Sequence, residues 1–209
     1  VVLDGARPAL GLVRRQRDFC NRLMEEAKQL IEKGEEEEAQ LKLYQVNQGM
    51  PRHPQLQRML EEPSTRKLLE KISGAMLTDM RKDQARALRE ELFFTIDEKG
   101  NDASLTEKGC EALSPNDPEA YVLPDLAIGL GNIEADASLT PEQKLAARQK
   151  LHDTFSERSE RIHAVDQLIR AYSVYERDVQ YVVQNNQVII VDEYTGRLMP
   201  GRRWSDGLH

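Results

Sequence analysis

The chain has 209 residues, of which 31% are charged and only 5% aromatic, with a formal net charge of −7. That balance suits a soluble, helix-rich protein with much solvated surface, and it argues against a primary nucleic-acid binder, which needs a basic face. Two distant cysteines, Cys20 and Cys110, make no disulfide framework and point to a reducing compartment; no apolar run is long enough to span a bilayer and no basic-then-apolar leader opens the chain.

Val1-Val2-Leu3-Asp4 reads as an opening strand. A strand needs a partner, and comparable strands occur only at the far end. The expectation is a domain cut from a longer protein, with its first and last strands side by side. Residues 12–33 read as an amphipathic helix: Leu12, Gln16, Phe19, Cys20, Leu23, Met24, Ala27, Leu30 and Ile31 recur at three- and four-residue steps, and Gly34 stops it. Glu35 to Glu38 suit the positive end of a second helix carrying Ala39, Leu43 and Val46 up to Gly49 and Pro51. A third short helix carries Leu56, Met59 and Leu60 to Pro63, and a further stripe runs through Leu68, Leu69, Ile72, Met76 and Met80, extended by Ala85, Leu88 and Leu92.

Residues 93–106 change character. Phe93 to Asp97 is strand-like, Lys99-Gly100-Asn101 is a turn, and Ala103 to Thr106 returns as a second strand. Pro115, Pro118 and Pro124 then break the chain into short pieces. Thr140-Pro141-Glu142-Gln143 is a helix start, with Thr as cap, Pro at the first helical position and Gln143 closing a capping box. Leu151, Phe155, Ile162, Val165, Ile169 and Tyr172 continue that helix to about Tyr175. Tyr181-Val182-Val183 and Val188-Ile189-Ile190-Val191, flanking Asn185-Asn186, read as a β-hairpin, since Asn tolerates the positive φ of a two-residue turn.

An aliphatic run ending in Asp192-Glu193 has the form of the acidic strand end that holds magnesium in P-loop nucleotidases. Phosphates also need a glycine-rich loop with free amides and a Lys, and no Gly-x-x-x-x-Gly-Lys-[Ser/Thr] occurs. Asp192 and Glu193 are therefore read as a structural turn or interdomain contact, and the chain alone is expected to hydrolyse no ATP and to hold no cofactor or metal. His53, His152, His163 and His209 have no acid or Cys at metal-ligand spacing, and no catalytic triad assembles. Arg197, Arg202 and Arg203, crowded with Trp204 among glycines, read as a docking surface for carboxylates or phosphates of a neighbouring domain. The hairpin residues Val182, Val183, Ile189 and Ile190 read as a stem, as an edge that accepts an extended peptide by strand addition, or as both.

Tyr181 to His209 resembles the SecA family of bacterial preprotein translocase ATPases, in which such a hairpin leads into Val-Asp-Glu-x-Thr-Gly-Arg and Gly-Arg-Arg-x-Ser-Asp-Gly-Leu-His. Phe94 to Lys99 and Leu105-Thr106-Glu107-Lys108-Gly109 resemble a second segment of that family. The stretch from Leu12 to Leu92 and Tyr121 to Asp125 look like a longer version found in some bacterial lineages. Asp4-Gly5-Ala6-Arg7-Pro8 departs from the family, with Gly for a second acid and no Thr.

The resemblance implies the preprotein-crosslinking domain, at residues 1–192, with a helical region at 12–92 and a mixed core at 93–178; residues 193–209 would return into a first nucleotide-binding domain. Residues 1–8 would be the outgoing strand of the stem and about 179–192 the returning one. It also implies a clamp that binds unfolded preprotein or signal peptide within an ATP-driven motor at the SecYEG channel. That motor would be cytoplasmic and peripheral to the inner face of the plasma membrane. ATP and magnesium would belong to the parent, and nucleic acid to neither. The expected fold is α+β: a helical layer, a small antiparallel sheet and a two-stranded stem uniting the termini. The rival reading is a non-catalytic helical adaptor for a folded partner, since Ala39 to Leu60 is faintly like one tetratricopeptide unit, although no second copy follows at fixed period.

Overall fold

The computed structural model describes the backbone of residues 2–209 and the side chains from residue 6 onward. The first element, α1 (Val2–Glu32), is one helix and replaces the expected opening strand, of which Val1 lies outside the described residues. The apolar stripe continues upstream of Leu12 to Ala9, and both side chains are buried. A helix satisfies its backbone groups within itself, whereas a strand needs a neighbour that this segment does not meet. Pro8 is accommodated inside the helix. Gly34 ends the run as expected, at φ 77°, with the amides of Gly34 and Glu35 bonded back to Ile31 and Leu30.

The helical layer follows as α2 (Glu36–Gly49), α3 (Pro54–Leu60), α4 (Pro63–Met76) and α5 (Lys82–Glu90), with one 3₁₀ turn at Asp79–Arg81. These helices pack on the second half of α1 around Cys20, Leu23, Met24, Leu43, Val46, Leu56, Ile72 and Leu92. His53 caps α3 with its ring: Nδ1 accepts from the Gln55 amide at 3.1 Å while Nε2 lies 2.7 Å from Asn21 Oδ1. That arrangement selects the neutral tautomer protonated on Nε2, and burial holds the His53 pKa below its ordinary value, with nearby Lys28 adding to the effect.

The second core lies on the other half of α1. There β1 (Phe94–Asp97) and β2 (Asp102–Leu105) form an antiparallel hairpin, Phe94 opposite Leu105. Ala9, Leu12, Phe93, Phe94, Ala103, Val165 and Ile169 fill the space between α1, this hairpin and α8 (Pro141–Ser173). α6 (Glu107–Leu113) follows the hairpin directly, and its tight seat explains Gly109, since a Cβ there would lie 1.9 Å from the Phe93 carbonyl oxygen. A 3₁₀ turn (Pro118–Tyr121) and α7 (Leu126–Ala135) fill the proline-broken stretch, and α7 packs antiparallel on the first part of α8. The capping box at Thr140 and Gln143 is formed as expected.

Gln16 joins the two cores. It is 1% exposed and uses all four of its side-chain bonds. Oε1 accepts from the amides of Phe93 (2.8 Å) and Phe94 (3.2 Å), and Nε2 donates to the carbonyls of Gly49 (2.9 Å) and Phe94 (2.6 Å). Gly49 is bare for the same reason: a Cβ would meet Leu92 at 2.7 Å and Gln16 Nε2 at 2.9 Å.

The chain ends in a second sheet, β3 (Tyr181–Gln184), β4 (Gln187–Val191) and β5 (Leu198–Met199), in the order β3-β4-β5. The α+β class stands, with two small antiparallel sheets. The stem uniting the termini does not: the second edge of β4 pairs with β5, Ile190 opposite Met199 and Val191 opposite Leu198, and α1 contributes no strand. A nearby segment across a short turn closes that ladder at little entropic cost, which a segment more than 180 residues away cannot match.

Candidate functional site

The β3–β4 ribbon is built around Asn185 and Asn186, at φ 51° and 58°, the two consecutive left-handed residues of a tight hairpin turn. Tyr181 stands opposite Ile190, Val182 opposite Ile189, Val183 opposite Val188, and Gln184 opposite Gln187. This register divides the four sequence-selected ribbon residues between two faces. Val182 and Ile189 share one, and Val183 and Ile190 lie on the other, with Ile190 buried and Val183 39% exposed. The Val191 amide donates to the Gln180 carbonyl at 2.9 Å. In the antiparallel alternation, Gln180, Val182 and Gln184 thus face β4, and the main-chain groups of Tyr181 and Val183 point outward. The Tyr181 carbonyl is used by the Asp178 amide at 2.7 Å. Val183 remains as the outward-facing residue of an unpaired edge.

Beyond β4 the chain turns on Asp192. Its Oδ1 accepts from Tyr194 N (3.0 Å), Thr195 N (2.7 Å) and Thr195 Oγ1 (2.8 Å), and the bonds from Thr195 and Tyr194 hold the carboxyl below its ordinary pKa. Asp192 N and O also close the turn, with Arg197 O and Gly196 N. The carboxylate is thus engaged by its own loop, which supports the structural reading of Asp192; Glu193 is exposed beside it. Among the described residues, no group of His, Cys, Asp and Glu is arranged to hold a metal ion.

Trp204 is half-buried. Its ring meets Tyr175 edge-on at 4.8 Å, Tyr181 at 6.3 Å and His209 at 5.8 Å, so it ties the last segment to the root of the ribbon. Arg197, Arg202 and Arg203 are exposed, and none is in an ion pair within 4 Å among the described residues; Arg202 Nη1 donates to the sulfur of Met199, at 3.7 Å. The structure brings Trp204 and Ile190 together in the wall of one cleft of about 770 Å³, with Tyr175, Met199, Arg52 and Glu98. Arg52, which no sequence pattern singled out, bonds Glu98 at 3.2 Å and the Val174 carbonyl at 3.0 Å.

Residues 73–209 match the family model of the SecA preprotein cross-linking domain. The chain belongs to that family. It is 40% identical over 205 residues to the protein translocase subunit SecA of Chlorobium phaeobacteroides, covering 95% of this chain and 20% of the relative. It is 41% identical over 206 residues to that of Porphyromonas gingivalis, covering 95% and 18%, and 40% identical over 202 residues to that of Chlorobaculum tepidum, covering 95% and 20%. The chain therefore spans about a fifth of the length of these SecA relatives. Alignments of this breadth include the helical layer, although the family model begins only at Ser73, within α4. No helix among the described residues is long and apolar enough to cross a membrane.

Proposed function

We propose that this chain is the preprotein-gripping domain of a SecA motor that uses ATP and magnesium, held elsewhere in the parent protein, to export unfolded preproteins through SecYEG. The domain itself carries no catalysis. The motor works from the cytoplasm, peripheral to the inner face of the plasma membrane. Residues 1–192 form the domain, and 193–209 lead back into the first nucleotide-binding domain. The observation that carries this reading, beside family membership, is the unpaired β3 edge with Val183 facing outward, flanked by Val182, Ile189 and Ile190. An extended chain added there gains main-chain bonds that ignore its sequence, which suits a protein that must hold many substrates. Exposed Arg197, Arg202 and Arg203, with Trp204 fixing their loop, dock on carboxylates of the nucleotide-binding domain.

Binding of an unfolded, signal-bearing polypeptide, measured by fluorescence anisotropy against the folded form of the same protein, tests the reading. The unfolded form binds and the folded form does not. Val183→Pro removes one outward amide without touching the β3–β4 ladder, because proline is tolerated on a strand edge. It lowers affinity roughly tenfold. Unchanged affinity in this variant, or equal binding of the folded form, would refute peptide addition at β3.

A further inference from the structure

The turn that joins α4 to α5 exposes Leu77 at 87% and Met80 at 97%. A single apolar side chain on a surface is ordinary. These two stand three positions apart on a turn held by its own bonds: the Leu77 amide donates to the Gly74 carbonyl, the Arg81 amide to the Thr78 carbonyl, and Thr78 Oγ1 to the Ala75 carbonyl at 2.6 Å. Two such side chains kept in water on an ordered support mark a contact surface. Beside the turn a cleft of about 340 Å³ opens between α2, α4 and α5, with Leu41, Ile72 and Ala75 in its lining.

Charge is divided across that cleft. Glu37, from the exposed run Glu35 to Glu38, lines its α2 side; Lys71 and Arg81 line the other, with exposed Lys82 next in the chain. None of these seven residues is in an ion pair within 4 Å among the described residues. The dipole of α2 accounts for acids in its first turn, but not for an apolar tip and unpaired cations across the cleft. An anionic bilayer would be repelled by the four glutamates at the same opening, which disfavours lipid as the occupant. A partner must bring apolar side chains to the cleft, cations to the glutamates and carboxylates to Lys71, Arg81 and Lys82. The same surface of this chain brings all three.

We infer that the open face of the helical layer pairs with the same face of a second copy about a two-fold axis, each copy's Leu77 and Met80 seating at the other's cleft and each Arg81 meeting the other's Glu37. An isologous contact makes every interaction twice, so a small patch with two neighbouring, oppositely charged halves is self-complementary. The charged contacts are exposed and set register more than strength, while burial of the two apolar side chains supplies the affinity. The β3–β4 ribbon takes no part, so the pairing stands independently of the gripping role proposed above.

The test is hydrogen exchange by mass spectrometry on the full-length parent protein at two concentrations about a hundredfold apart. Exchange of 38–43 and 75–84 slows at least about threefold at the higher concentration, while the amides of Phe93 and Phe94 do not respond. Met80→Ser, at a side chain the fold leaves in water, removes that dependence. Glu37→Lys or Arg81→Glu alone also removes it, since each places like charges at both contacts. An equimolar mixture of these two variants restores it, because opposite charges then meet at both. Exchange that ignores concentration in the wild type overturns the pairing, as does a dependence that survives Met80→Ser or is not restored by mixing. Protection of 75–84 that appears only with phosphatidylglycerol vesicles assigns the tip to lipid and overturns it too.

Discussion

Replacing Gln16 by Leu keeps the side-chain volume and removes the four bonds that join the two cores. The amides of Phe93 and Phe94 and the carbonyls of Gly49 and Phe94 would then face a hydrocarbon in a site 1% exposed. A buried polar group left without a partner costs about 1–3 kcal/mol. The Leu side chain recovers part of the loss by its own transfer from water, and partial relaxation recovers more, leaving a net destabilisation of about 3 kcal/mol. That is a large share of the stability of a small domain. Urea unfolding followed by far-ultraviolet circular dichroism measures the change, and hydrogen exchange at Phe93 and Phe94 locates it. A cost below about 1 kcal/mol with both amides still protected would refute the claim that Gln16 joins the layers.

Gly109→Ala drives a methyl into the Phe93 carbonyl, 1.9 Å away, and costs about 2–4 kcal/mol, read as a lower urea midpoint. Asp166, on α8 against the β2 edge, has its pKa pushed up to about 6 by burial, against an ordinary 3.8, so its native carboxyl keeps a proton that the unfolded chain has already lost. Its contribution is therefore most favourable below pH 4 and declines as pH rises to about 6. Asp166→Asn removes that decline and stabilises the protein at pH 8 by about 1 kcal/mol, the partial exposure of the site having been allowed for. His53 acts with the opposite sign: its depressed pKa gives stability that is present above the unfolded value of 6.5 and lost as pH falls below it, and His53→Asn, which can still cap α3, flattens that limb of the profile. Thr140→Ala, which breaks the capping box of α8, costs about 1 kcal/mol in thermal or urea unfolding.

Signals that act across a few residues were legible from the chain alone. The Asn185-Asn186 turn, the Gly34 stop, the Thr140 capping box and the β1–β2 hairpin each depend on neighbours within one turn of backbone, and each stands where its residues place it. Gln16 lay on the apolar stripe of α1 as an unexplained polar residue. Its partners, Gly49, Phe93 and Phe94, are 33 to 78 positions away, so no local pattern could name them. Arg52 was invisible for the same reason, its acceptor at Val174 being 122 positions distant. α6 ends just before Pro115 and α7 begins just after Pro124, and prolines mark where elements stop but not that short helices fit on either side of the stops.

By itself the sequence determined the family, the run of helices, and the ribbon with its left-handed turn, because those follow from local sterics and from motifs readable in order. Only the tertiary structure decided whether Val2 to Pro8 became strand or helix, and which segment took the open edge of β4. Both questions are competitions for the same backbone hydrogen bonds. The chain settles them by what lies near in space, where β5 reaches β4 across one short turn and α1 bonds to its own next turn.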